Sequence, residues 1–257
     1  MSLVRLYQFP ISHYCEKVRW ALDYKGIPHE INNLVPVWHV PTMLLLSRQT
    51  QVPVIEMEGR VIHGSTAILQ SLEERFPAAP GLLPAGEGDR SKVDDIVELC
   101  DEKLGPHVRR ACYYQVLKSS KLTYELLCDG QSTMRRIQLR ASLPVVMKVM
   151  QKGMRIDNRG YLRSLDHINQ TLDELEKLLG KRKVFVGHTL SAADIACASL
   201  LAPLARPAGT IYAKTIVLPE GFQELLDAFN DRPIMTWTRQ LYAQYRQTHC
   251  ISPRSRV

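Results

Sequence analysis

The sequence predicts two units in tandem, a small α/β domain with a mixed four-stranded sheet and then an all-α helical bundle. Three observations carry that expectation. Strand and helix signals alternate over residues 1–76 in the order β-α-β-α-β-β-α. The stretch from Phe76 to Gly86 holds three prolines and two glycines in eleven residues and cannot continue a helix. Beyond it, apolar residues recur at three- and four-residue intervals, most clearly Leu162, Leu165, Ile168, Leu172, Leu175, Leu178 and Leu179. The expected organisation is a first domain over 1–76, a linker over 77–87, a helical domain over 88–250 and a mobile tail over 251–257.

Within the first domain, Leu3 to Phe9 reads as a strand and Tyr14 to Lys25 as a helix with Val18, Ala21 and Leu22 on its apolar side. Glu30 to Leu34 is a weak strand, and Pro41 to Ser47 a short helix with proline near its start. Val54 to Met57 and Arg60 to Ile62 form two strands about the turn Glu58-Gly59. Ser65 is expected to cap a helix reaching Arg75. In the second domain Ser191 starts a helix whose run Ile195 to Leu201 is apolar on nearly every side, which suits the centre of a bundle. Pro219 and Pro233 open two further helices.

Composition narrows the function. Hydrophobic residues make up 45% and charged residues 23% of the 257 residues, values ordinary for a soluble globular protein. No apolar run is long enough to span a membrane and no signal peptide is apparent, so a cytoplasmic location is expected. The six cysteines (Cys15, Cys100, Cys112, Cys128, Cys197 and Cys250) lack metal-ligand spacing and read as free thiols, so no metal is expected. The net charge of +7 is concentrated in Arg135, Arg136, Arg140, Lys148, Lys152, Arg155, Arg159 and Arg163. Such a stripe is a solvated face with a general attraction for anions, or a surface for nucleic acid or an acidic membrane. Only Tyr161 among aromatic residues falls within it and no nucleic-acid motif accompanies it, so nucleic acid is not an expected partner.

Three features of the first domain could carry chemistry. Ser12-His13-Tyr14-Cys15 falls where a strand turns into a helix start, a place that favours negative charge through unpaired N–H groups and the helix dipole. This is a C-x-x-C frame with serine in the first position, suited to holding another molecule's thiolate rather than supplying one. Ser12 is equally an ordinary N-cap. Val52-Pro53 precedes a strand, and a cis bond there would leave the backbone of Val52 open to an extended peptide. Gly64-Ser65-Thr66-Ala67-Ile68 opens the next helix, where the Ser65 hydroxyl and the N–H groups of Ser65 and Thr66 form a carboxylate site.

The order Tyr7-x4-Ser12-His13-Tyr14-Cys15-x3-Arg19, Val52-Pro53 and Gly64-Ser65-Thr66-Ala67-Ile68 resembles the thioredoxin-like domain of cytosolic glutathione transferases. Gly187-His188-Thr189-Leu190-Ser191-Ala192-Ala193-Asp194 resembles that family's capping segment, with Asp194 closing a capping box on the central helix. The resemblance covers essentially the whole chain and fits the serine- and cysteine-type branches, without assigning a class. It implies that Ser12 stabilises the glutathione thiolate with Tyr14 and Cys15 flanking the thiol. It further implies a cis Val52-Pro53 bond, with Val52 pairing with the cysteinyl backbone, and a γ-glutamyl carboxylate received by Ser65 and Thr66. It also offers His39 as a contact for the glycyl carboxylate. Gly64 stands where the family usually has an acidic residue, which removes its holder of the γ-glutamyl ammonium. Tyr7 invites comparison with the tyrosine-type branch but is the lesser candidate. The residues around 124–159 match no particular class.

The expected activity is attack of the glutathione thiolate, with glutathione as co-substrate, on a small hydrophobic electrophile. Arg109, Tyr113 and Tyr114 are expected to line the site for that electrophile, although paired tyrosines serve core packing as readily. Two alternatives stand beside it: glutathione-dependent reduction or isomerisation through Cys15, and a non-catalytic binding module favoured by Gly64. The resemblance also implies a homodimer.

Overall fold

The computed structural model describes residues 3–214 and 217–246. Cys250 and the expected tail over 251–257 lie outside the described residues. The first domain runs β1 (Val4–Gln8), α1 (His13–Tyr24), β2 (His29–Asn33), α2 (Val40–Ser47), β3 (Val54–Met57), β4 (Arg60–His63) and α3 (Ser65–Arg75). Its four strands lie in the order β2-β1-β3-β4, with β1 parallel to β2 and antiparallel to β3, and β3 antiparallel to β4. The β3–β4 hairpin turns through Glu58 and Gly59, both at positive φ. The predicted elements appear in the predicted order, with ends moved by one or two residues.

After the break at 76–86 come α4 (Glu87–Glu98), a π-helical turn (Leu99–Leu104) and α5 (Gly105–Val116). They are followed by α6 (Ser120–Leu127), α7 (Thr133–Gly153), α8 (Asn158–Leu179) and α9 (Ala192–Ala205). A short 3-10 turn (Ile211–Ala213) precedes α10 (Glu220–Asn230) and α11 (Pro233–Tyr245). No described helix is long and apolar enough to cross a membrane. The sequence segment without a class match forms α7. Its stripe Leu139, Leu143, Val146 and Met150 packs with Val35, Leu127 and Cys128, while Arg140, Lys148 and Lys152 stay in solvent.

Every residue of α9 except Pro203 is buried. Asp194 fastens its start: one carboxylate oxygen accepts from the Phe185 N–H (2.7 Å), the other from the Ser191 N–H (2.9 Å) and hydroxyl (2.8 Å). Three donors offset the cost of placing a carboxylate where no water reaches it. One apolar cluster then runs from Leu6, Trp20 and Ile55 of the first domain to Leu172 and Leu200 of the second.

The first helix is held by charge as well as by packing. Nine of its residues are buried, Glu16, Lys17 and Asp23 among them. Glu16 pairs with Arg19 at 2.7 Å and with Arg246, beyond α11, at 2.8 Å, and Arg246 also reaches Asp23. Trp20 packs on the Tyr242 ring at 4.3 Å between centroids. Burial alone would raise the Glu16 carboxyl, but Arg246 and Arg19 outweigh it and hold the group at about 2. A carboxyl depressed by folding stabilises the protein above its unfolded pKa and loses that contribution as pH falls through the folded one. Stability to urea is therefore expected to drop between about pH 4.5 and about pH 2, the ordinary and folded values for Glu16. Glu16→Gln should lower stability at neutral pH and flatten this acid slope, as read from unfolding midpoints across pH.

Candidate active site

A cavity of about 850 Å³ opens between the two domains. Its lining includes Ser12, Tyr14, His39, Val52, Pro53, Gly64, Ser65, Thr66, Arg109 and Tyr113, which were singled out from the sequence. Cys15 and Tyr114 do not line it.

Ser12 is the N-cap of α1, in extended backbone, and its Oγ accepts from the Cys15 N–H at 3.4 Å. That bond uses one lone pair and leaves the hydroxyl proton free to donate into the cavity. The Glu16 N–H bonds the Ser12 carbonyl, so the N–H groups of His13 and Tyr14 remain as the unpaired donors of the first turn. The Tyr14 hydroxyl donates to the Asp101 carbonyl at 2.7 Å, and burial followed by Asp101 pushes its pKa well up. A Cβ at Gly105 would collide with this tyrosine, so only glycine lets α5 pass there.

Cys15 departs from its expected role beside the thiol. It is fully buried one turn into the helix, and burial raises its pKa despite the opposing Ser12 hydrogen bond and Arg19. It offers neither access nor a ready thiolate for a mixed disulfide. Tyr114 also points elsewhere: it stacks on Tyr161 at 4.3 Å and donates to Asn158 at 3.0 Å. Tyr7 donates to Glu56 at 3.2 Å and is absent from the cavity wall.

The Val52-Pro53 bond is cis, and the Val52 N–H and C=O have no hydrogen-bond partner among the described residues. Gly64, rather than Ser65, is the N-cap of α3, at φ +84° and ψ 127°. Ser65 is thereby the first helical residue, and its N–H and that of Thr66 have no hydrogen-bond partner among the described residues. The Thr66 hydroxyl is already committed. It donates to Asp101 at 2.5 Å and accepts from the Lys17 ammonium at 2.9 Å. Lys17 is wholly enclosed and also bonds both Asp101 carboxylate oxygens at 2.8 and 2.9 Å. Burial lowers its pKa and Asp101 opposes that shift.

His39 lines the cavity but is poorly equipped for a carboxylate. Its Nε2–H is spent on the Thr50 carbonyl at 2.8 Å, and its buried Nδ1 has no partner among the described residues. Burial lowers its pKa, so the ring presents a lone pair rather than a second donor. His13 is similar: Nδ1 bonds the Leu200 carbonyl at 3.1 Å, and burial with nearby Arg109 holds the ring at about 3.

Sequence reasoning missed Asp101, His13, Tyr212, Arg206, Lys214 and the methionines Met150 and Met154, all on the cavity wall. Tyr212 reaches back to the Ile11 carbonyl at 3.1 Å, closing the wall beside Ser12. Asp101 lies in the π-helical turn, an irregularity often found at functional sites but without a sequence signature of its own here. Among the described residues no three His, Cys, Asp or Glu side chains group as metal ligands.

Residues 6–80 match the family model described as glutathione S-transferase, N-terminal domain. A maleylpyruvate isomerase from Ralstonia sp is 33% identical over 103 residues, covering 38% of this chain and 48% of the relative. The chain spans about half the length of the curated relatives it matches. The fold is shared with the β-etherase LigF from Sphingobium sp. strain SYK-6, with a TM-score of 0.62 at 20% identity, over 93% of this chain and 99% of that one. It is shared also with rice GST1 in complex with glutathione, with a TM-score of 0.60 at 18% identity, over 98% and 93%. The match over residues 6–80 and the shared fold liken this chain to glutathione S-transferases.

Two outcomes check this geometry. Iodoacetamide at neutral pH should leave Cys15 of the native protein unmodified, whereas the same cysteine should react fully in denaturant, as read by peptide mass spectrometry. Gly64→Ala should cost about 1–3 kcal/mol in unfolding free energy, because a side chain is strained at this backbone angle although the space beside it is open.

Proposed function

We propose that this chain is a glutathione transferase in which Ser12 keeps the glutathione sulfur ionised for attack on a small, mainly apolar electrophile. The observation that carries this reading is the convergence on one cavity of the Ser12 hydroxyl, the start of α3 and the unpaired backbone of Val52. An extended tripeptide laid along Val52 would bring its γ-glutamyl carboxylate to the Ser65 and Thr66 N–H groups and its sulfur toward Ser12. Asp101 would face the γ-glutamyl ammonium, a role for which Gly64 has no side chain. The α1 N-terminus and a donated hydroxyl hydrogen bond both favour thiolate over thiol.

The second substrate would lie against Cys112, Tyr113, Val116, Leu126, Met150 and Met154, an apolar wall that excludes water from the nucleophile. The sulfur then bonds the electrophilic carbon while the leaving group departs with its electron pair. Burial pushes the pKa of the Tyr113 hydroxyl up to about 12. It therefore stays protonated and able to donate to charge developing on the electrophile. A homodimer and a cytoplasmic location belong to the same proposal.

A second reading, glutathione-dependent isomerisation, is favoured by the relative named maleylpyruvate isomerase. The same thiolate would add to a conjugated double bond, allow rotation and leave again, returning glutathione unconsumed. Buried Cys15 has no part in it. Ultraviolet thiolate absorbance of the enzyme–glutathione complex tests both readings. The bound thiol should ionise below its free pKa. Ser12→Ala should raise that pKa and lower kcat by about a hundredfold, with glutathione binding retained by calorimetry. An unshifted thiol pKa in the unsubstituted protein would overturn the proposal.

A further inference from the structure

The electrophile side of the cavity is apolar apart from its cations, and one of these is unspent. Arg109, Cys112, Tyr113 and Val116 follow one another at helical spacing along α5, so a single face of that helix serves the cavity. The other cationic residues of the lining are engaged. Arg206 donates to the Tyr212 and Lys214 carbonyls, and Lys214 is paired with Asp129. The carboxylate of the lining, Asp101, is paired with Lys17 rather than with Arg109. Arg109 is different: among the described residues it makes no hydrogen bond and no ion pair. Its positive charge nevertheless bears on His13, Tyr14 and Tyr113, the side chains around the place assigned to the sulfur. Both cavity histidines are disfavoured as cations by burial and offer no competing positive charge.

We propose that the electrophile accepted by this cavity carries a carboxylate on its apolar body, and that Arg109 is the residue selecting it. The inference rests on the transferase reading above and narrows its substrate class. A guanidinium presents a planar fork of donors that matches a carboxylate with two parallel hydrogen bonds. The apolar wall formed by Val116, Met150 and Met154 takes the rest of the molecule. Because Arg109 is exposed and unpaired in the protein alone, little is lost from the protein when a ligand engages it.

A chloronitrobenzoate and its methyl ester form a matched pair of probes. In both, the thiolate sulfur bonds the ring carbon bearing chlorine, the carbon–chlorine bond breaks and chloride leaves with the electron pair. The protein should bind the benzoate more tightly than the ester by calorimetry without glutathione, and should turn it over with the lower KM. Arg109→Met should reduce that discrimination by about tenfold, the effect of one charge-assisted pair, and Arg109→Lys should restore part of it. Added salt should weaken the benzoate alone. Equal handling of the two probes by the unsubstituted protein, or discrimination that survives Arg109→Met, would overturn the inference. So would a loss of glutathione affinity in Arg109→Met that matches its loss of benzoate affinity, since Arg109 would then serve the tripeptide. If the protein fails to bind glutathione while still preferring the benzoate, the transferase reading fails and the anion site stands. Arg109 makes no hydrogen bond or ion pair among the described residues, so an unchanged thermal midpoint is expected and separates these outcomes from misfolding.

Discussion

The first helix is enclosed by protein on nearly every side, and the arrangement of the cavity depends on that enclosure. Its buried residues include Glu16, Lys17 and Asp23, groups that would be costly to bury without partners. Each is matched from a distant part of the chain: Glu16 and Asp23 by Arg246, Lys17 by Asp101 and Thr66. Apolar packing of Trp20 on Tyr242 completes the seat. Ionic and apolar contacts together fix the axis of α1 and hence the position of Ser12 at its start.

The same contacts build the opposite wall. Lys17 draws Asp101 and Thr66 together, which places the π-helical turn of the second domain against the start of α3. The cavity is therefore a product of docking between domains. Its peptide-facing edge comes from Val52, Ser65 and Thr66, and its apolar edge from α5 and α7. The helical region that the sequence assigned to no particular class is part of this wall through Met150 and Gly153.

Much of the fold was legible in the sequence because its signals are local. Proline and glycine between Phe76 and Gly86 end a helix by their own backbone geometry, and no helix or strand spans that stretch in the structure. Of the seven spaced residues that predict the apolar stripe of α8, Ile168, Leu172, Leu175 and Leu179 are buried and Leu165 partly so, whereas Leu162 and Leu178 are exposed. The uniformly apolar run after Ser191 predicts a helix enclosed on all sides, as α9 is. Strand–helix junctions at Ser12 and Ser65 were likewise readable, although Gly64 displaced Ser65 from the cap because its backbone angle suits no side chain.

What lay outside local pattern required the assembled molecule. Cys15 and Ser12 are three residues apart and chemically comparable, yet helix rotation buries one thiol and turns one hydroxyl to the cavity. Tyr113 and Tyr114 are neighbours, and the same rotation sends the first to the cavity and the second to Tyr161. His39 is a donor in the sequence, but a loop carbonyl at Thr50 consumes its proton. Arg109 is one of many basic residues until the other cationic side chains of the cavity lining, Arg206 and Lys214, are seen to be engaged. The sequence by itself determined which elements form and which helix starts carry free N–H groups, because those properties depend on residues a few positions apart. Only the tertiary structure decided which side chains face the cavity and which charges remain uncompensated, because burial and pairing are set by residues as distant in the chain as Glu16 and Arg246.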